Sequence, residues 1–186
     1  MPTETRRFPD PTRVETKGSL VEALACAKTN FLIGYYFGAS PIGPSHFLEP
    51  LPPSCTWPSL DKEYADMSAL MKWRRDVELQ LWENYRNGLV RALIKESYEL
   101  VFHYCKASGQ VAIFQEWSHF RLLRLLRNAM SHTTGGIIRW TYGAAVIEWR
   151  TYQYTPESDG RHIILTTEDA FDLHAELRQF VDHTLS

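Results

Sequence analysis

The sequence predicts a mainly α fold: a bundle of four or five helices with one β-hairpin before the C-terminal helix. Three observations lead there. Apolar residues recur at three- and four-residue steps along most of the chain. One stretch breaks this rule, Val146–Leu165, where β-branched and aromatic residues surround the turn-forming Thr155–Gly160. A last helical stripe, Ala170, Leu173, Leu177 and Phe180, then closes the chain.

Bulk composition narrows the class. A length of 186 residues suits a single domain over 1–186, and a hydrophobic fraction of 44% supplies a core without staples. The net charge of −2 argues against a generic nucleic-acid coat, although it leaves room for a local basic patch. Arg outnumbers Lys by 14 to 6, and Arg makes the better bidentate phosphate contacts. Cys26, Cys55 and Cys105 are scattered and odd in number, which fits buried thiols in a reducing cytoplasm. The first residues lack the apolar core of a signal peptide. The longest apolar stretch, Leu20–Phe37, contains Glu22, Lys28 and Asn30, so a buried helix is expected and not a membrane span.

Residues 1–17 are polar with three prolines and are expected to form an extended arm. Ser19, with Glu22 three residues on, is expected to cap the first helix. Leu20, Leu24, Ala27, Phe31, Ile33, Tyr35 and Phe37 make that helix apolar nearly all round toward its end, as in a bundle centre or an interface. Residues 39–61 carry six prolines, which no regular helix survives. Ile42, Phe47, Leu48, Leu51 and Trp57 lie among them, so an ordered loop is expected rather than a linker. Residues 60–106 read as one long helix or two, capped by Ser59 or Asp61. Asn87-Gly88 marks a candidate break, and Leu70, Trp73, Val77, Leu81, Tyr85, Leu89, Ala92 and Tyr98 form its stripe. Ala107-Ser108-Gly109 stops it. After a link at Gln110–Ile113, a helix is expected over Phe114–Ser131. The hairpin pairs Val146–Tyr154 with His162–Leu165, and Thr166 with Asp169 caps the last helix.

The helix ending at Ser131 carries the chemistry. Leu122, Leu125, Leu126 and Ala129 form its apolar face, while Arg121, Arg124 and Asn128 run along another. Arg127-Asn128-x-x-x-His132 follows, and Thr133-Thr134-Gly135-Gly136 suits a helix stop. This stretch resembles the Arg-x4-6-His signature of the HEPN superfamily, with the polar residue often found directly after the Arg. The Leu-rich approach, the Gly-rich exit, the hairpin and the terminal helix resemble the subgroup with a hairpin behind the motif helix. The resemblance covers roughly Met67–Ser186.

What the resemblance implies is a metal-independent endoribonuclease, of the toxin or defence-effector kind, with Arg127, Asn128 and His132 as its catalytic residues. It also implies no cofactor, a homodimer formed through the motif helix, an RNA substrate, and an antitoxin protein as a further partner. The residue chemistry agrees. An imidazole takes and returns protons near neutral pH, and a guanidinium offers paired donors to phosphate oxygens. Attack by the ribose 2′-OH leaves a 2′,3′-cyclic phosphate, so DNA is inert. Arg121 and Arg124 are candidate RNA contacts. On an ideal helix Arg127 and His132 lie about 140° apart, so two subunits are expected to complete the site.

Other readings stand beside this one. A His near a helix C-terminus is favoured by the dipole alone. Arg121 and Arg124 also suit a solvated or salt-bridged surface. Trp117, Trp140 and Trp149 suit base stacking or an aromatic core. His103, Cys105 and His119 fit no usual zinc spacing, and no metal site is expected. A second match, Arg178 to His183, lacks the polar residue after Arg and sits in the last turns. The rival functions are a non-catalytic protein- or nucleotide-binding module and a structural dimerisation domain.

Overall fold

A computed structural model describes residues 14–39, 75–131 and 136–186. The fold is mainly helical, with a two-stranded antiparallel hairpin before the C-terminal helix. The helices are α1 (Lys17–Ala39), α2 (Arg75–Ala107), α3 (Val111–Glu116), α4 (Phe120–Ser131) and α5 (Thr167–Thr184). Strands β1 (Ile147–Trp149) and β2 (Tyr152–Tyr154) lie between α4 and α5. The chain divides into two compact units, residues 31–89 and residues 1–30 with 90–186. The proline-rich loop over 39–61, the expected helix start near 60 and most of the 1–17 arm lie outside the described residues.

In the larger unit, α1 begins earlier than the sequence suggests. Thr16 is the cap: its Oγ1 accepts from Ser19 N–H at 3.1 Å, and Ser19 Oγ accepts from Thr16 N–H at 3.1 Å. This reciprocal pair satisfies two amides at the helix entrance, so Ser19 answers the cap instead of forming it. Leu20, Leu24 and Ala27 are buried against the core.

The buried side of α2 in this unit runs Val90, Leu93, Ile94, Ser97, Val101, Tyr104 and Cys105. Ala92, expected on the apolar stripe, is exposed. The stop at Ala107–Gly109 forms as expected. Gly109 adopts φ 72°, and Gln110 N–H reaches back to the Cys105 carbonyl at 2.7 Å. That bond closes a helix end through a left-handed residue, which glycine adopts without strain.

The expected helix over Phe114–Ser131 is two helices. The ladder breaks at Trp117–His119, where Trp117 takes an extended ψ of 131°. Packing accounts for the break. Phe114 meets Phe120 edge-on at 5.0 Å, Phe180 at 5.8 Å and Tyr98 at 5.9 Å, and Trp117 stacks on Phe180 at 5.4 Å. Burying these rings outweighs a few backbone bonds that turn geometry replaces, such as Phe120 N–H to Trp117 O at 2.9 Å.

The hairpin also turns sooner than expected. Ile147 faces Tyr154 and Trp149 faces Tyr152, so the turn is Arg150-Thr151 and not Thr155–Gly160. Arg150 sits at φ 54°, an unusual conformation for a side chain with a Cβ. Its guanidinium reaches Asp172 at 2.6 Å and lies over the Trp149 ring at 4.6 Å, which holds the turn against α5. Residues 155–160 form a 3-10 turn over Pro156–Ser158 instead. The expected return strand at His162–Leu165 is reduced to a bridge with Ile137, the chain leaving the motif region. The Thr166 cap on α5 is as expected, accepting from Asp169 N–H at 3.1 Å.

In the smaller unit, α2 passes through Asn87-Gly88 without a break. Gly34 of α1 lies close to Leu89, where an added Cβ would stand 2.7 Å from a Leu89 methyl. Ile33, Tyr36 and Tyr85 are about half or more exposed, so the apolar end of α1 is not covered all round. Among the described residues no helix is long and apolar enough to cross a membrane.

Candidate functional site

Helix α4 owes its position to its leucines. Leu122, Leu123, Leu125, Leu126 and Ala129 are all buried, and this fixes which side chains remain outside. Arg121 and Arg124 are exposed, and Arg127 and Asn128 are half-buried at the edge. His132 lies outside the described residues, so its relation to Arg127 is not part of this geometry.

Arg127 is held by three neighbours. Its Nε–H donates to Glu99 Oε1 at 2.7 Å, and Nη2 donates to the same oxygen. Nη1 donates to Asn128 Oδ1 at 3.2 Å. The guanidinium also lies over the Tyr98 ring at 5.7 Å. These contacts use the Nε hydrogen and one hydrogen on each Nη, and a guanidinium has five. One N–H on each Nη therefore remains for an anion among these contacts. Both partners are about 30% exposed, so the ion pair is worth roughly 1 kcal/mol after screening.

Glu99 has a second contact. Its Oε2 stands 3.6 Å from His103 Nε2, one turn further along α2. His103 is the most open member, with 62% of its side chain exposed. One carboxylate thus faces a guanidinium from α4 and an imidazole from its own helix.

The loop after the motif helix joins the same face. Tyr142 Oη donates to the Arg121 carbonyl at 3.4 Å, and the Trp140 and Tyr142 rings meet edge-on at 5.5 Å. Burial raises the Tyr98 and Tyr142 hydroxyl pKa values above the usual 10, while the nearby arginines oppose the shift. Arg124 acts on both tyrosines, Arg121 on Tyr142 and Arg127 on Tyr98. Three arginines therefore lie near two phenols, Tyr142 at the surface and Tyr98 buried beneath it.

The other sequence candidates separate. Trp149 is buried, with Nε1–H donating to Glu176 at 2.9 Å, and Trp117 sits in the ring stack with Phe114 and Phe180. Trp149 is thus a core residue and Trp117 a half-buried member of the ring cluster, and Trp140 stays partly open with its Nε1–H on the Gly143 carbonyl at 2.7 Å. His103 and His119 face different carboxylates, Glu99 and Glu176. Cys105 is fully buried, which pushes its thiol up to about 11. No group of three or more metal-ligating side chains forms among the described residues. Arg178, of the second Arg–His match, is committed to Asp182 at 2.9 Å and to the Val21 carbonyl at 3.1 Å.

Sequence reasoning missed Glu99 and gave His103 only a zinc role. Their four-residue spacing on one helix was a usable signal. The 28-residue separation between Glu99 and Arg127 carried none.

No family model, curated protein or solved structure matches the chain.

Proposed function

We propose that the chain is a metal-independent endoribonuclease of HEPN type, working as a homodimer through α4, with RNA as substrate. Its class would be that of a toxin or defence effector with an antitoxin partner. The observation that carries the reading is the surface of α4. Arg127, carrying Asn128 on one Nη and two further N–H groups, shares a face with Arg121, Arg124 and Tyr142. That arrangement suits a phosphodiester backbone, since arginines track phosphates and an aromatic edge accommodates bases. In this reading His132 accepts the 2′-OH proton, Arg127 stabilises the charge on phosphorus oxygens, and Asn128 fixes the guanidinium.

A second reading has its own support. The Glu99 ion pair fastens α4 to α2, which is the work of a structural arginine in a non-catalytic binding or dimerisation module. RNA incubation in EDTA separates the two. The enzyme cleaves and loses cleavage on His132→Ala with its fold intact, whereas the module does not cleave at all.

A further inference from the structure

We propose that Trp140 is a nucleobase-stacking platform, which with Arg121 and Arg124 makes the outer face of α4 a binding site for single-stranded nucleic acid of either sugar. This subsite deepens the ribonuclease reading and rests on it only for RNA being the natural strand. No part of it depends on the motif imidazole. The platform is built by the loop behind α4. Trp140 N–H donates to Asp159 Oδ1 at 2.8 Å, and its Nε1–H donates to the Gly143 carbonyl at 2.7 Å. Gly143 sits at φ 59°, the left-handed conformation through which the chain doubles back on the ring. Tyr142 braces the indole edge-on at 5.5 Å and is itself tied to α4, its Oη donating to the Arg121 carbonyl at 3.4 Å. The indole is therefore fixed before any ligand arrives, and little rotamer freedom is left to lose on binding. Its one N–H is already used, so what the half-buried ring still presents is flat apolar surface.

Such a surface takes an unpaired base. In a duplex the faces of the bases are covered by their neighbours in the stack, so a ring platform selects single strands. The phosphates have partners of their own. Arg121 and Arg124 are exposed, lie about one helical turn apart, and among the described residues make no side-chain hydrogen bond or ion pair. Both stand close enough to Tyr142 to act on its hydroxyl, so the cations and the ring border one another. Ring stacking and phosphate pairing do not read the 2′-OH, so a DNA strand fits the same face. Lacking the 2′ nucleophile, it stays bound and uncut, and it competes with RNA.

The test is a fluorescence-anisotropy titration of the full chain with a labelled mixed-sequence oligodeoxynucleotide, the same strand with internal abasic sites, and the duplex. DNA keeps cleavage out of the readout. The wild type is expected to bind the base-bearing single strand about 10-fold or more tighter than the abasic strand, and tighter than the duplex. Trp140→Ala should fall to the abasic affinity on the base-bearing strand, and Trp140→Phe should keep most of the difference. Neither variant should change the affinity for the abasic strand. Equal wild-type affinity for the base-bearing and abasic strands, preference for the duplex, or binding of none of them overturns the platform, whether or not Trp140→Ala folds. So does wild-type affinity in Trp140→Ala, or a loss that extends equally to the abasic strand. If strand binding follows Trp140 while the wild type leaves RNA whole, the ribonuclease reading fails and the platform stands. RNA cleavage together with strand binding indifferent to Trp140 ends the platform alone.

Discussion

Glu99 receives two N–H groups of Arg127 on one oxygen and turns its other oxygen toward His103. The motif arginine is therefore already half engaged before any ligand arrives, and it fastens α4 to α2. Removing it changes stability as well as ligand binding, so the two effects need separating.

Glu99→Gln makes that separation. The amide keeps the shape but loses the charge, and the folded chain should lose no more than about 1 kcal/mol in a urea titration. Removing an anion beside the bound phosphate should leave RNA binding equal or tighter by a few-fold in a fluorescence-anisotropy titration. Because Glu99 orients Arg127, cleavage should fall all the same, as a kcat loss without a KM rise. A KM increase with kcat unchanged would show that Glu99 serves binding alone.

Among the described residues the Arg121 and Arg124 side chains make no hydrogen bond or ion pair, so their alanine variants should keep the wild-type unfolding midpoint. If they contact RNA phosphates, each replacement should reduce the slope of log affinity against log salt by roughly 0.7. Arg124→Ala with an unaltered salt slope would remove it from the proposed RNA track.

His174 gives a pH prediction independent of function. It is buried, 2.8 Å from Ser97 Oγ, and burial first, then Lys28 and Arg178, pushes its pKa down to about 4. In the unfolded chain the ordinary value is about 6.5. Between these values the unfolded state binds the extra proton, so stability is full above about 6.5 and is lost as pH falls toward 4. The loss is at most about 3 kcal/mol. Urea midpoints from pH 7 to pH 4.5 should show that slope, and His174→Gln should flatten it.

Two helical glycines should respond oppositely. Gly88 is open, with nothing within 4 Å of an added Cβ, so Gly88→Ala should stabilise by about 1 kcal/mol. At Gly34 the same Cβ meets the two Leu89 methyls at 2.7 and 3.1 Å and Tyr85 Oη at 3.0 Å. Overpacking there should cancel or reverse the gain. Equal stabilisation at both sites would mean that Leu89 yields freely.

The helices, the stop at Gly109 and the Thr166 cap were legible because each has a local cause in periodicity or turn chemistry. The places where the sequence misled have non-local causes. Nothing near Trp117 announces a helix break, because the break serves a ring cluster completed by Phe180, more than sixty residues on. The hairpin turn at Arg150-Thr151 lacks the Asn-Gly signal of tight turns, because Asp172 and Trp149 hold Arg150 in place. At the candidate site, Arg121, Arg124, Arg127 and Asn128 followed from one helix pattern. Their partners Glu99, Tyr98 and Tyr142 come from other parts of the chain, and only tertiary packing brings them together.

End-group analysis of digested RNA tests the action of Arg127 and His132 on RNA most directly. In EDTA, the wild-type protein should leave 2′,3′-cyclic phosphate and 5′-OH ends, and His132→Ala and Arg127→Lys should leave the RNA whole while folding normally. Intact RNA with the wild-type protein, or cleavage that persists in both variants, would contradict the account.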